Sequence, residues 1–403
     1  MVGAGYAGMA AAVTLADKGA KVSVFESAPT PGGRARRVTT SGRELDNGQH
    51  ILIGAYTELL RLMALVRVPE EALMRLPLEL RYADGFSFRA LWLPAPLGML
   101  LGLLFAWKLP FKERWGAVRF MLFLQRHSFQ VKADQTVSDL LREHRQNGAI
   151  GHYLWRPLCV SALNTPVEMA SAQVFANVLR DSLAGDARAS DLLLPRADLS
   201  RLFPEPACEY VKAKGGEVRL GSPVKDLGAL SGEFDAVIVA VGHHQLKTLL
   251  PELALERLYE PIYTCYLQYP AQVRLRFPML GLSSGLVQWA FDRGWLTGEP
   301  GRIACVISAR GDHQQMTHEE LAATCHQELK AIRPQLPDPE WTQVIAEKRA
   351  TVACVPGAAF PAETLRPGIF LAGDYTYPDY PPTLEAAVRS GVRAAHEALN
   401  QSR

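Results

Sequence analysis

The chain has 403 residues, 48% of them hydrophobic and 21% charged, proportions that leave room for two or three domains with a sizeable core and argue against disorder. Its 43 basic and 41 acidic residues give a net charge of +2, with no dense lysine or arginine run interleaved with aromatics, so the electrostatic footprint of a nucleic-acid binder is missing. The six cysteines, at 159, 208, 265, 305, 325 and 354, form no CxxC pair and stand near no histidine at zinc-ligand spacing, which points to reduced core thiols and to no metal site.

The chain opens on Gly3-Ala4-Gly5-Tyr6-Ala7-Gly8, runs through an alanine-rich helical pattern ended by Gly19, and reaches Val22-Ser23-Val24-Phe25-Glu26. This order predicts a dinucleotide fingerprint. Gly3 permits the tight turn, Gly5 lets the backbone approach a pyrophosphate, and Gly8 lets the helix pack closely with its N-terminal dipole toward the phosphates. Glu26 ends the second β-branched run, where a carboxylate can accept hydrogen bonds from both ribose hydroxyls. A glycine pattern alone is weak evidence; Ala7, Ala10, Ala11, Ala12 and the placed acid make it specific. Only Met1 and Val2 precede Gly3, so the central strand is expected to be nearly missing, with a start codon further upstream. No basic segment followed by an apolar one opens the chain, so the expected location is the cytoplasm.

Pro29-Thr30-Pro31-Gly32-Gly33-Arg34-Ala35-Arg36-Arg37 follows, a turn whose glycines expose N–H groups and whose arginines can neutralise phosphate; by itself it also reads as a solvated basic loop. Asp46-Asn47-Gly48-Gln49-His50-Ile51-Leu52-Ile53-Gly54 then joins polar residues to a short apolar run. Residues 91 to 107 carry no charge. The run sits at the short limit of about 17 residues for a membrane span, and Pro94 and Pro96 break its beginning. With Trp92 and Trp107 near its ends and Lys108, Lys112, Arg114 and Arg119 beyond, it reads either as an interfacial segment whose Leu100, Leu101, Leu103 and Leu104 enter one leaflet, or as a buried helix.

From about Val137 to Pro204 helical patterns alternate with breaks at Gly148, Pro157, Pro166 and Gly185 and carry no catalytic motif. Glu217–Leu220 and Asp235–Ala240 read as strands, the second apolar enough to be buried in a sheet. Alternation in residues 271–276 and 302–307 predicts an antiparallel sheet, joined by a helix near 317–332, as the floor of a substrate cavity. Gly368-Ile369-Phe370-Leu371-Ala372-Gly373-Asp374 ends a strand on a glycine-aspartate turn, and after Pro382 a helix starts at about Thr383. Its first residues, Thr383 and Leu384, present free N–H groups that stabilise negative charge.

The fingerprint with its terminal glutamate, the Gly-Gly-Arg turn and the carboxyl-terminal motif through Ser390-Gly391 together resemble the flavin-dependent amine oxidase and phytoene desaturase superfamily. The resemblance implies FAD as cofactor, its diphosphate held between the two glycine turns and its ribityl chain by Asp374. It implies as FAD-binding residues Gly3, Gly5, Gly8, Glu26, Gly33, Arg34, Val224, Gly373, Asp374, Thr383 and Leu384. The implied fold is α/β: a Rossmann-like FAD-binding domain in three pieces (1–75, 205–250, 351–403) with an inserted α+β substrate domain (76–204, 251–350). Gln288-Trp289-Ala290-Phe291-Asp292-Arg293-Gly294 and Ala240-Val241-Gly242-His243-His244, with the Asp46–Gly54 stretch, resemble the hydroxysqualene dehydroxylase branch. That branch implies reductive removal of an allylic hydroxyl from hydroxysqualene, a long isoprenoid, giving squalene, with peripheral contact to the inner membrane leaflet. Carotenoid desaturases and amine oxidases are the alternatives within the superfamily, and GDP dissociation inhibitors, which bind prenylated partners without redox chemistry, are the alternative outside it.

Loss of an allylic hydroxyl needs a proton donor, and the cation left behind needs a hydride. Asp46, His50 and Tyr377 are the catalytic candidates because they adjoin the two flavin motifs, with Tyr375 and Tyr380 as further phenols. His50 has the ordinary pKa closest to neutrality, and a packing role is its alternative.

Overall fold

The computed structural model describes residues 1–91, 93, 97–131, 135–183, 188–253, 256–362 and 364–401. Trp92, Pro94, Pro96 and Gly185 lie outside the described residues.

The two ends of the chain and a middle segment share one sheet, in the spatial order Glu217–Arg219, Ser23–Phe25, Val2, Val237–Val239, Ile369–Leu371, with Thr364–Arg366 antiparallel at the far edge. Val2 occupies the centre: its N–H donates to the Ile238 carbonyl at 2.9 Å, and the Ala240 N–H donates to its carbonyl at 2.8 Å. The central strand expected to be nearly missing is therefore present as a bridge around Val2. Its buried side chain and the fully buried Val239 and Leu371 give the uninterrupted apolar run of strands covered on both faces.

Two helices lie together on this sheet, Tyr6–Asp17 and Leu384–Gln401. They approach so closely that a Cβ on Gly391 would stand 2.1 Å from the Ala7 carbonyl oxygen, and Ala10, Ala11 and Ala12 are wholly buried. Small residues were therefore chosen by backbone proximity, not by helix propensity alone.

The second layer is a five-stranded antiparallel sheet in the order Met279–Gly281, Trp289–Asp292, Arg302–Ser308, Tyr259–Gln268, Trp341–Val352. Successive side chains of a strand alternate faces, and here the alternation divides two cores. Cys265, Ala290, Cys305 and Ile307 meet the helix His318–Ile332, while Tyr266, Trp289, Phe291, Ala304 and Val306 meet the helical layer built from residues 97–183. Residues 271–276, expected as a strand, form a turn and irregular chain; the Leu275 N–H is taken by the buried Asp292 carboxylate at 2.6 Å instead of by a ladder partner. Pro157 does not end the helical run but follows the π-helical turn Gly151–Trp155 directly, as the second residue of Arg156–Leu163. Within the stretch expected to be helical, Leu192–Pro195 is a strand paired with Leu52–Ile53 and Leu73–Leu76.

Candidate active site

A cavity of about 730 Å³ lies where the parallel sheet meets the five-stranded one, and it collects both glycine turns, the carboxyl-terminal motif and one face of the antiparallel sheet. At Gly8 the backbone of the first turn approaches itself: a Cβ there would stand 2.0 Å from the Gly3 carbonyl oxygen, so only glycine fits. Gly5 differs. A Cβ on it would meet only Gly33, no closer than 3.7 Å, so the protein itself does not demand glycine, and the room in front of it belongs to the cavity. That is the cradle a pyrophosphate needs. The Gly32 N–H donates to the Ala4 carbonyl at 2.8 Å, which sets the second glycine turn beside the first, with Gly33 on the cavity wall.

Glu26 is buried at the cavity rim, its carboxylate accepting from the Ala4 N–H at 2.7 Å and from the Ala28 N–H at 2.8 Å. Both bonds use backbone donors, so the group is locked as an acceptor and oriented before any ribose arrives. The Ser222 N–H donates to the Glu26 carbonyl at 2.7 Å, which brings Val224 to the same wall. Arg34 donates to the Asp374 carboxylate at 2.6 Å and to the Ala350 carbonyl at 2.7 Å. Burial disfavours the Arg34 charge, but Asp374 outweighs it and the pKa moves up. Gly373, Thr383 and Leu384 line the cavity beside them, and the Gly373 N–H is held by Ser390 Oγ at 2.9 Å. Every FAD-binding residue expected from the sequence except Gly8, which shapes the turn from behind, is on this wall, and the set would fit FAD: backbone N–H groups of the glycine turns for the diphosphate, Glu26 for a ribose.

Arg37 is a correction. It was expected to serve phosphate with its neighbours, yet its guanidinium is shared among Glu44, Asp198 and Glu205, away from the cavity.

The catalytic candidates separate. His50 lines the cavity, with Nδ1 3.1 Å from the Gly48 carbonyl; because a carbonyl can only accept, Nδ1 carries the proton and Nε2 is the uncommitted nitrogen. Burial, opposed by the bond to Gly48 and assisted by Arg34, pulls its pKa below the ordinary histidine value. Asp46 is turned into the protein: its carboxylate accepts from the Leu199 N–H at 2.9 Å and lies 3.5 Å from Arg293 Nη2. Burial is the main cause that pushes Asp46 up to about 6, and the group is not among those lining the cavity. Tyr377 borders two separate surface clefts, with Arg393 over its ring at 5.2 Å, and Tyr380 likewise borders other clefts. Of the three phenols only Tyr375 lines the cavity, donating to the Val241 carbonyl at 3.2 Å.

The same cavity is also lined by apolar side chains, Ile51, Ile262, Trp289, Phe291 and Val306, with Ser161, Asn164 and Ser308 among them. Trp289 and Phe291 stand two apart on one strand and so share a face, a strand that is not among those expected from the sequence. Ser161, Asn164 and Ser308 carried no signal; they reach the wall because Trp289 Nε1 donates to Ser161 Oγ at 3.0 Å and Asn164 bridges to Thr351 Oγ1 at 2.9 Å.

Comparison with known proteins adds three findings. The family model described as flavin containing amine oxidoreductase matches residues 6–399. Among curated proteins, the chain is 29% identical to a hydroxysqualene dehydroxylase of Zymomonas mobilis, with 100% of this chain and 99% of that protein covered, and 28% identical to one of Sinorhizobium fredii, with 100% and 98% covered; a zeta-carotene desaturase of Synechocystis is 23% identical over 100% and 97%. Among solved structures, an oxidoreductase from Methanosarcina mazei superposes with a TM-score of 0.71 at 16% identity, covering 98% of this chain and 99% of that one.

Proposed function

The chain belongs to the flavin containing amine oxidoreductase family, an FAD-dependent oxidoreductase, and we propose that its reaction is the reductive dehydroxylation of hydroxysqualene to squalene. The observation that carries this is the full-length relationship to named hydroxysqualene dehydroxylases, joined to apolar side chains that line the same cavity as the glycine turns. In the reaction the carbon–oxygen bond breaks, the hydroxyl leaves as water with one added proton, and a hydride takes its place on carbon. FAD, when bound and reduced, supplies that hydride chemistry.

The chain's own residues supply the rest. Ile262, Trp289, Phe291 and Val306 take the hydrocarbon out of water, at about 25 cal/mol per Å² of apolar surface removed. Arg34 and Asp374 hold the two motifs against each other. His50 is the proton donor in this reading: its Nδ1–H is fixed by Gly48, so protonation places the second proton on Nε2, the nitrogen free to meet the leaving oxygen. A low pKa makes that imidazolium a minor species at neutral pH and a strong acid when present. The substrate hardly dissolves in water, so the protein makes peripheral contact with the inner leaflet of the cell membrane to reach it.

Anaerobic protein with prereduced flavin, mixed with hydroxysqualene, is expected to form one squalene per flavin and to regain the oxidised spectrum. Squalene formed by oxidised protein without a reductant would overturn the reading. Bleaching of the oxidised flavin by a polyene precursor would assign desaturation instead.

A further inference from the structure

Among the described residues, seven of the twelve large hydrophobic side chains left exposed fall between Leu91 and Trp115. The most open are Phe111 at 72%, Phe105 at 71%, Trp107 at 67% and Trp115 at 50%. They project from the end of a helical hairpin, Leu97–Leu104 followed by Phe111–Arg126. We propose that this hairpin tip is the surface by which the protein docks on an anionic phospholipid membrane. The proposal deepens the peripheral contact suggested above and names its residues, which are not those expected from the sequence.

The fold explains why these side chains are outside. Helix Leu97–Leu104 turns Gly98, Met99, Gly102 and Leu103 inward, so close to the neighbouring strand Ser87–Arg89 that a Cβ on Gly102 would stand 2.5 Å from the Arg89 carbonyl. Leu103, expected to enter the leaflet, is fully buried, and Leu100 and Leu104 pack against the same core. The opposite stripe ends in Phe105. Trp107 is held by its N–H on the Ser87 carbonyl at 2.9 Å, while Ala106 and Leu109 plug the core on either side of it. Phe111 and Trp115, four apart on one helix, lie on one face. The aromatic rings are thus carried outward on a backbone fixed from beneath.

The occupant follows from composition. Tryptophan and phenylalanine beside lysine form the pattern of interfacial anchors, in which rings sit at headgroup depth and cations meet anionic lipid. Lys112 and Arg119 are exposed and make no ion pair among the described residues, while Lys108 donates to the Asp84 carbonyl and lies 3.7 Å from its carboxylate. Among the described residues no helix is long and apolar enough to cross a membrane, so the contact is one-sided. Beneath the tip the apolar core runs on to the cavity wall: Phe86 meets Tyr82 with ring centroids 5.5 Å apart, and Tyr82 meets Trp289 at 5.4 Å.

Co-sedimentation with vesicles of phosphatidylethanolamine and phosphatidylglycerol tests the surface. The double substitutions Phe105→Ser with Trp107→Ser, and Phe111→Ser with Trp115→Ser, should each weaken partitioning by at least about tenfold, while Leu220→Ser, an exposed leucine elsewhere, leaves it unchanged. Tryptophan emission of the unsubstituted protein should shift to the blue on binding and be quenched by brominated acyl chains. Undiminished partitioning of both double variants overturns the proposal. So does sedimentation velocity showing a dimer that these substitutions dissociate with no vesicle binding by the parent, since a second copy then covers the tip. Squalene formation from detergent-dispersed substrate reads the reaction separately: a parent protein that binds vesicles through the tip yet makes no squalene overturns the reaction assigned above and upholds the docking surface.

Discussion

Arg34 Nη2 lies 2.6 Å from the Asp374 carboxylate, so the second glycine turn and the carboxyl-terminal glycine-aspartate turn are clamped by an ion pair on the wall of the cavity proposed to hold FAD. Asp374 is 5% exposed, and without its partner the carboxylate would lose a charge-assisted bond worth about 1.5–3 kcal/mol. Arg34→Met is therefore expected to lower the stability of the FAD-free protein by roughly that amount in urea denaturation and to weaken flavin binding as well. Equal stability and equal affinity would show that the pair clamps nothing.

Gly5 and Gly8 should respond in opposite ways to the same small change. Gly8→Ala forces a Cβ to 2.0 Å from a carbonyl oxygen, an overpacking that typically costs about 1–3 kcal/mol or more, and the variant should melt early with or without FAD. Gly5→Ala meets nothing closer than 3.7 Å. It should fold with unchanged stability in the absence of FAD yet lose affinity, because the methyl group occupies the pyrophosphate's approach. Titration of each variant with FAD, after thermal melts of the FAD-free proteins, checks the contrast.

Glu26→Ala removes an acceptor already anchored by the Ala4 and Ala28 N–H groups. FAD affinity should fall by at least about tenfold, given about 1.5–3 kcal/mol for each hydrogen bond to a charged acceptor. Glu26→Gln, which keeps one acceptor oxygen, should fall between. An unaltered dissociation constant in the alanine variant would remove Glu26 from the site.

His50 makes a prediction about pH. Its pKa lies below the ordinary value of 6.5, so the imidazolium becomes populated only as pH falls through that lower value. The single-turnover rate with reduced flavin should accordingly rise on acidification, with a midpoint below 6.5, and His50→Gln should abolish this rise and slow the step by about 10²- to 10⁴-fold. A rate that stays flat through the same range in the parent protein would move the proton to another group on the wall, Tyr375 or Ser308.

Asp46 should reveal itself in stability, not in turnover. Its folded pKa of about 6 stands above the ordinary 3.8, so between these values the folded state binds more protons than the unfolded one, and stability falls as pH rises from 3.8 to about 6. Asp46→Asn should flatten that fall while leaving squalene formation within a few-fold of the parent. A loss of turnover with unchanged stability would return Asp46 to the chemistry.

How much was legible depended on the range of the interaction. Residues 302–307 alternate and are a strand, Arg302–Ser308, because strand periodicity is local. Residues 271–276 showed the same alternation and are not a strand, because Asp292, a distant residue in sequence, takes the Leu275 N–H. Leu103 and Phe105 look alike in an uncharged run, and the first is buried while the second is among the most exposed large hydrophobic side chains of the described residues. Only the position of strand Ser87–Arg89 beneath the helix separates them.

The sequence by itself determined the cofactor and the nucleotide-binding half of the fold. Three glycines, an acid at the end of the next strand and a second glycine turn answer to a diphosphate through backbone geometry that neighbouring residues specify among themselves. Tertiary structure alone decided which polar side chains face the reaction. Asp46, His50 and Tyr377 were all candidates in the chain, and they parted because a side chain's direction is set by what pairs with it: Arg293 and Leu199 draw Asp46 inward, Arg393 covers Tyr377 at a separate cleft, and Gly48 leaves one nitrogen of His50 free at the cavity. Arg293 and Leu199 stand far along the chain from Asp46, and no local pattern encodes such a meeting.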